Sequence, residues 1–441
     1  MNNVILHAFN WRFSEIADAA PEIARLGYGA VLFPPPLFSD ECGTEWWQRY
    51  QPRDYRVIRS ALGNKAQLQA AIAALQQEGV RCYADVVFNH MANEFGVRDD
   101  ALDFPGRALQ ARYAHEADEF EQDRLYGDLR EPLFDERSFH PRAGIDDWFD
   151  ADEVADGWLG GLPDLSLTVW VIKQQLACLQ SLNGLGFDGY RVDAIKHMAE
   201  QHINLVFRHP ILAGKFVFGE ILTFNDRENQ TYLWPAIDES SMSFYDFPLQ
   251  QTLHDALSVT GSLQSLANPT SHRGALPWHR AVTFSVTHDV PNNESFRGMM
   301  FAPHDEYLAN VYVLGRDGGV PMIYSDHGES TLSHPDDAYR WQDLWRRADL
   351  AAMLAFHNAL HGAAERLLYV NAVVLVLARG ARGMVAINKS ADWQTAPLAA
   401  HGLQLGTYVC QLHGHHLTIT GEAQQLQIPP RQAQMWLFAS S

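Results

Sequence analysis

The chain has 441 residues, 47% hydrophobic and 11% aromatic, enough for a large buried core and more than one domain. Lys and Arg number 33 against 53 Asp and Glu, a formal charge of −20. Such a chain repels polyphosphate backbones and anionic membrane surfaces, which excludes nucleic acid and membrane as partners, while a neutral ligand is compatible.

At the start, Asn2 and Asn3 lead straight into Val4-Ile5-Leu6. No basic stretch precedes a long apolar one, and no segment approaches the roughly 20 apolar residues of a membrane span. A cytoplasmic location is the expectation. Short apolar runs then alternate with helical spacing. Strands are expected at Val4–Phe9, Ala30–Phe33, Cys82–Phe88, Phe187–Val192, Lys215–Gly219, Ser243–Tyr245, Ala281–Val286 and Val320–Tyr324. Ser243–Tyr245 is the weakest of these patterns. Between strands, Leu68, Ile72 and Leu75 recur at helical spacing and Gly79 follows as a stop. Trp170–Leu182 has similar spacing, with Gly184 after it. Eight strands with intervening helices predict an α/β fold, a (β/α)₈ TIM barrel. A doubly wound sheet competes, but no Gly-rich phosphate fingerprint follows a strand.

Residues 91–168 break the rhythm. They are acidic, aromatic and rich in Pro and Gly, and too long for an ordinary loop. They read as a subdomain inserted after the third strand, with the barrel over 1–90 and 169–364. From 365 to 441 the pattern changes to strand-like runs at Leu367–Ala378, Met384–Asn388, Leu417–Thr420 and Met435–Phe438, a small antiparallel β-domain. The four cysteines (Cys42, Cys82, Cys178, Cys410) show no CxxC spacing, and Cys82 and Cys178 sit in apolar patterns as buried thiols.

The chemistry concentrates at strand ends, where a barrel of this kind gathers its functional residues. In Phe187-Asp188-Gly189-Tyr190-Arg191-Val192-Asp193, strand alternation sends Arg191 and Asp193 to one side. A guanidinium there favours an ionised carboxylate, as a glycosidase nucleophile requires. The third strand ends Asp85-Val86-Val87-Phe88-Asn89-His90, the fifth ends Phe218-Gly219-Glu220, and the seventh ends Thr287-His288-Asp289. Three carboxylates, two histidines and an arginine at matching ends point to one shared site.

These four segments resemble the four signature regions of the α-amylase family of glycoside hydrolases, in the family's order. Glu45-Trp46-Trp47-Gln48-Arg49-Tyr50-Gln51-Pro52 is similar to a sugar-stacking tract of animal-type members, and Leu162-Pro163-Asp164-Leu165 to a short fifth motif. The resemblance implies hydrolysis of α-1,4-linked glucans with retention of configuration. Asp193 would be the nucleophile, Glu220 the acid and base, and Asp289 the carboxylate that holds the distorted sugar. Arg191, His90 and His288 would serve the same sugar, Tyr50 would stack on it, and Trp47 on its neighbour; Trp46 reads as rim core. Lys196 and His197 follow Asp193 in the form typical of α-1,4-acting members, with Lys196 toward the leaving group.

The resemblance also implies a structural calcium, held by Asn89, Asp164 and the backbone oxygen of His197. A further carboxylate would come from among Asp147, Asp150, Asp152 and Glu153 of the insertion. Oxygen donors of this kind suit a hard cation, although Asn89 and Asp164 could equally be a hydrogen-bonded clamp. Thr287 stands where chloride-activated members have Asn, so chloride is not expected. Tyr324-Ser325-Asp326-His327 also departs from the family's usual ending after the eighth strand. A transglycosylase on the same scaffold and a non-catalytic glucan-binding protein are the competing readings. Endo or exo action, chain-length preference and oligomeric state are not legible in the sequence.

Overall fold

The computed structural model describes residues 2–93, 107–327, 337–398 and 402–439. Residues 94–106 of the expected insertion therefore lie outside the described residues. Eight parallel strands close into a barrel: β1 Ile5–Phe9, β2 Ala30–Phe33, β3 Arg81–Val86, β4 Gly189–Val192, β5 Phe216–Gly219, β6 Ser243–Tyr245, β7 Ala281–Thr283 and β8 Val320–Asp326. Neighbours around the ring follow chain order, and β1 closes on β8 with Ile5 opposite Met322. Ser243–Tyr245, the weakest pattern in sequence, is the sixth strand and pairs with both neighbours. Two strands stop earlier than expected, β3 at Val86 and β7 at Thr283, and β4 begins only at Gly189. The apolar residues beyond those ends carry the chain into the site rather than along the ladder.

The barrel helices are α1 Phe13–Leu26, α2 Lys65–Gln77, α3 Val169–Leu185, α4 Glu200–Phe207, α5 Trp234–Glu239, α6 Phe247–Leu257, α7 Pro303–Gly315 and α8 Ala348–Ala359. Helix α1 shows why these stretches coil. Phe13, Ile16, Ala20 and Ile23 repeat at three and four residues and are all buried. Helix α3 starts where Thr168 Oγ1 accepts from Val171 N at 3.1 Å. It runs through Gly184 and ends at Gly186, whose φ of +108° makes the left-handed cap; the expected stop at Gly184 is two residues early. Among the described residues no helix is long and apolar enough to cross a membrane.

The insertion is stitched to the barrel by backbone. Leu165 N donates to Asn89 O at 2.9 Å, and Met91 N to Pro163 O at 3.1 Å. The terminal domain holds β9 Glu365–Val370, β10 Val374–Arg379, β11 Gly383–Asn388, β12 Gln394–Leu398, β13 Gly406–Cys410, β14 His416–Ile419, β15 Gln424–Ile428 and β16 Gln432–Phe438. Six form an antiparallel sheet in the order β9-β10-β11-β16-β13-β14, and β12 pairs with β15. The expected single run Leu367–Ala378 is two strands, because Asn371 Oδ1 accepts from the backbone N of Val373 and Val374, both at 2.8 Å, and turns the chain. Cations tie this domain to the barrel. Arg379 donates to the carbonyls of Gly315, Arg316, Leu360 and Ala363 at the ends of α7 and α8. Lys389 donates to the carbonyls of Ala256, Ser258 and Gly261 at the end of α6. Each cation meets the negative end of a helix and satisfies orphan carbonyls.

Candidate active site

Register places the central residues. Asp85 of β3 is opposite Arg191 of β4, and Val192 is opposite Gly219 of β5. Asp193 N continues the ladder to Val86 O at 2.9 Å, and Glu220 N to Val192 O at 3.0 Å. Both acids thus leave adjacent strands at the same level. Ala194 then adopts φ +47°, a left-handed conformation unusual for a residue with a Cβ. It turns the chain at once into the short turn Ile195–His197. Gly219 is required beside it, since a Cβ there would lie 2.8 Å from Ile195 Cγ2.

Arg191 is completely buried and serves three carboxylates. Nη1 lies 2.8 Å from Asp85 Oδ1 and 2.7 Å from Asp193 Oδ1, and Nη2 lies 2.7 Å from Glu220 Oε2. The last is a close ion pair rather than an aligned hydrogen bond. Asp289 is within hydrogen-bond reach of Glu220 and is held well above the ordinary carboxylate range by burial first and by the Glu220 charge next. Glu220 Oε1 and Asp289 Oδ2 both lack an aligned donor, although His288 Nε2 lies 3.3 Å from Asp289 Oδ2. Burial also raises Asp193, to about 8, and Asp85, to about 6, against the pull of Arg191. Arg191 thus pulls Asp193 toward the ionised form, as its place on the same strand implies, but shares its charge with the neighbouring acids. One guanidinium faces several buried acids, and burial pushes Asp85, Asp193 and Asp289 upward against its pull.

The other expected residues gather around this cluster. Trp46, Trp47, Tyr50, His90, Lys196, His197 and His288 line one cleft of about 840 Å³ with the three acids. Tyr50 OH donates to Asp85 Oδ2 at 3.0 Å, and His288 stacks on one face of its ring at 4.9 Å. His90 Nε2 faces Tyr50 O at 2.9 Å and Nδ1 faces Asn89 Nδ2 at 3.3 Å, so the ring first holds Tyr50 in place. Burial keeps His90 neutral, at about 4, and pushes His288 well below its usual range, with Arg191 adding to the shift. Trp47 is half exposed at the mouth, whereas Trp46 both packs on the core and lines the cleft. Lys196 Nζ donates to Leu222 O at 3.2 Å and Glu228 Oε2 at 3.3 Å. His197 Nδ1 faces Val154 O at 3.2 Å.

Sequence reasoning missed several neighbours. Asp85 was visible as a strand-end acid, and only its pairing with Arg191 shows that it anchors the cluster. His7 of β1 is fully buried against His288 and kept neutral, at about 3, by burial first and Arg191 next. Trp148 of the insertion, Phe224 and Phe296 come from loops whose shape no periodicity encodes, and Tyr232 comes from the π-helical turn Asn229–Leu233.

The residues expected to hold calcium also meet. A cavity of about 210 Å³ is lined by Asn89, His140, Asp156 and His197. Next to it Asp164 Oδ1 is buried without a hydrogen-bond partner, while Oδ2 is 2.6 Å from His140 Nδ1. Burial lifts Asp164 to about 7, opposed by His140. The four acids offered by the insertion behave differently. Asp150 caps the helix Ala151–Asp156, Glu153 Oε1 accepts from Asp147 N at 3.1 Å, and Asp147 Oδ1 from Phe149 N at 2.9 Å. Asp152 is exposed on that helix. Asp156, not singled out in sequence, is the insertion carboxylate at the cavity. Among the described residues no group of three His, Cys, Asp or Glu side chains could hold a metal. An amide, one or two carboxylates and backbone oxygens still form a donor set suited to a hard cation.

The family model "Alpha amylase, catalytic domain" matches residues 16–326. An α-amylase of Aeromonas hydrophila is 46% identical over 396 residues, covering 88% of this chain and 84% of that one. Among solved structures, a mutant of α-amylase I from Eisenia fetida in complex with maltohexaose superposes with a TM-score of 0.79 at 19% identity, covering 100% of this chain and 97% of that one. The α-amylase of Geobacillus thermoleovorans complexed with acarbose gives a TM-score of 0.72 at 17% identity, covering 99% and 98%. At those identities the structures speak for the fold, while the family model and the Aeromonas relative decide the family. The chain belongs to the α-amylase family and is a glycoside hydrolase of the α-amylase type.

Proposed function

We propose that this enzyme hydrolyses α-1,4-glucosidic bonds of starch, glycogen or maltooligosaccharides by double displacement. The observation that carries the reading is the fork of Arg191, which holds Asp193 on one amino group and Glu220 on the other. A separation of about 5–5.5 Å suits a nucleophile and an acid on one bond, whereas inversion needs roughly 6.5–9.5 Å to admit water. Two carboxylates on the two ends of one guanidinium suit the shorter spacing. In the first step Asp193 attacks the anomeric carbon as the glycosidic C–O bond breaks, and Glu220 gives its proton to the departing oxygen. In the second step Glu220 takes a proton from water, whose oxygen displaces Asp193. Asp289, facing Glu220, holds the ring hydroxyls. Tyr50, which lines the cleft, stacks on the sugar, with Trp47 beyond.

Asn89, Asp164 and the backbone oxygen of His197 would hold calcium, with Asp156 as the insertion's contribution. The ion would supply a bridge between the insertion and the barrel rim. The test is a product time course on maltoheptaose. Shorter products with retained α-configuration support the reading. Products longer than the substrate would shift it to glycosyl transfer, and binding without new reducing ends would overturn it.

A further inference from the structure

The barrel closes in chain order, so β6 stands diametrically opposite β2. The loop after β2 raises the aromatic wall Trp46–Tyr50 on its side of the cleft. Beyond β6 there is no loop to raise. Asp246 follows Tyr245 directly, and its Oδ1 accepts from Leu249 N at 3.0 Å to begin α6. The rim opposite Trp47 would be a notch if the neighbouring loops did not cross it. They do: Phe224 from the loop after β5 and Phe296 from the loop after β7 meet above it, ring centroids 4.7 Å apart.

Neither ring belongs to any of the hydrophobic clusters of the core, and Phe224 keeps 36% of its surface exposed. Both line the cleft that holds Asp193, Glu220 and Asp289. Paired aromatic surface left open in a catalytic cleft is surface that a ligand covers. Beside it, Asn292 Oδ1 is buried, lines the same cleft and has no hydrogen-bond partner, an acceptor suited to a hydroxyl. Phe224 lies four residues past Glu220, on the loop whose Leu222 carbonyl holds Lys196. Lys196 is the residue that the family resemblance sets toward the leaving group, so this loop stands on that side.

We infer that the Phe224–Phe296 pair is the second aromatic wall of the cleft, a specificity-determining contact for a glucose unit on the leaving-group side. The inference rests on the hydrolase reading above. The C–H face of glucose packs on the exposed Phe224 ring, Phe296 braces that ring, and a hydroxyl is placed toward Asn292.

The test compares two substrates. Maltoheptaose needs leaving-side sugar contacts, whereas in α-maltotriosyl fluoride the leaving group is fluoride. In Phe224→Ala and Phe296→Ala, kcat/KM for maltoheptaose should fall about tenfold, the size of one aromatic contact, mostly through KM. The fall for the fluoride should be less than twofold. Bond-cleavage maps of end-labelled maltoheptaose should move, and Phe224→Tyr should restore them. Equal losses on both substrates, or unchanged maps in both alanine variants, would overturn the inference. Wild-type protein that cleaves neither substrate would overturn the hydrolase reading and this one with it, which separates the two failures.

Discussion

Asp85 and Arg191 face each other across β3 and β4, with Arg191 Nη1 2.8 and 3.0 Å from the two carboxylate oxygens. Both side chains are sealed from solvent, so neither charge has water to turn to. Removing one partner of such a buried pair costs about 3–5 kcal/mol, because the other charge stays behind. Asp85→Ala should therefore lower stability by about that much in urea or guanidinium unfolding. Asp85→Asn keeps the hydrogen bonds and should cost less than half of it. A loss under 1 kcal/mol for Asp85→Ala would mean that Asp193 and Glu220 neutralise Arg191 alone.

Asp193 makes an opposite prediction for stability. Its carboxyl is raised from an ordinary 3.8 to about 8, chiefly by burial, so the folded protein holds the proton more tightly than the unfolded chain. Between about pH 4 and pH 8 the folded state binds more protons than the unfolded one, and stability falls as pH rises through that window. Asp193→Asn removes the titration. The variant should lose hydrolysis by at least about a thousandfold yet melt at a higher temperature at pH 8, with a flatter Tm profile from pH 4 to 8. A profile parallel to wild type would show that Asp193 is already ionised throughout.

Arg379 and Lys389 connect the terminal domain to three barrel helices. Replacing Arg379 by Met leaves four carbonyls without their donor, and unsatisfied buried polar groups cost roughly 1–3 kcal/mol each before relaxation. Arg379→Met should destabilise by about 3 kcal/mol or more, and limited proteolysis should cut first near the ends of α7 and α8. Lys389→Met should expose the end of α6 in the same assay. Unfolding should remain a single transition in wild type, because the β-domain and the barrel share these bonds.

Metal removal tests the donor set at Asn89 and Asp164. A ligand at a hundredfold excess over its Kd stabilises by about 2.7 kcal/mol. For a chain of 441 residues a chelator should therefore lower Tm by roughly 3 °C, and calcium, not magnesium, should restore it. Asn89→Ala should abolish the response. An unchanged Tm with and without chelator would assign Asp164 to His140 alone.

Asp193, Glu220 and Asp289 were legible because each follows a strand that periodicity locates, Asp193 and Glu220 directly and Asp289 after a short connection beyond β7, and a barrel brings strand ends together. Trp47 and Tyr50 were legible as a tract, though not that His288 would cover one face of Tyr50. Phe224, Phe296 and Trp148 were not legible. Each sits in a loop whose path is set by contacts distant in sequence, such as Tyr232 OH on Trp148 O at 2.5 Å. In the terminal domain, β12, β13 and β15 escaped notice because polar residues alternate along them and no apolar run stands out. The number of acids that share Arg191 was hidden for a different reason: sequence shows Asp193 as a neighbour on the same strand, but not Asp85 and Glu220 brought in from the strands on either side.

Ala194 remains the least comfortable residue in the cleft. A glycine would take its left-handed turn without strain, and would also let the corner swing. By keeping a methyl group there, the chain accepts a backbone it would otherwise avoid and narrows the directions in which the preceding carboxylate can point. The direction of that carboxylate is thus restrained by discomfort one residue downstream.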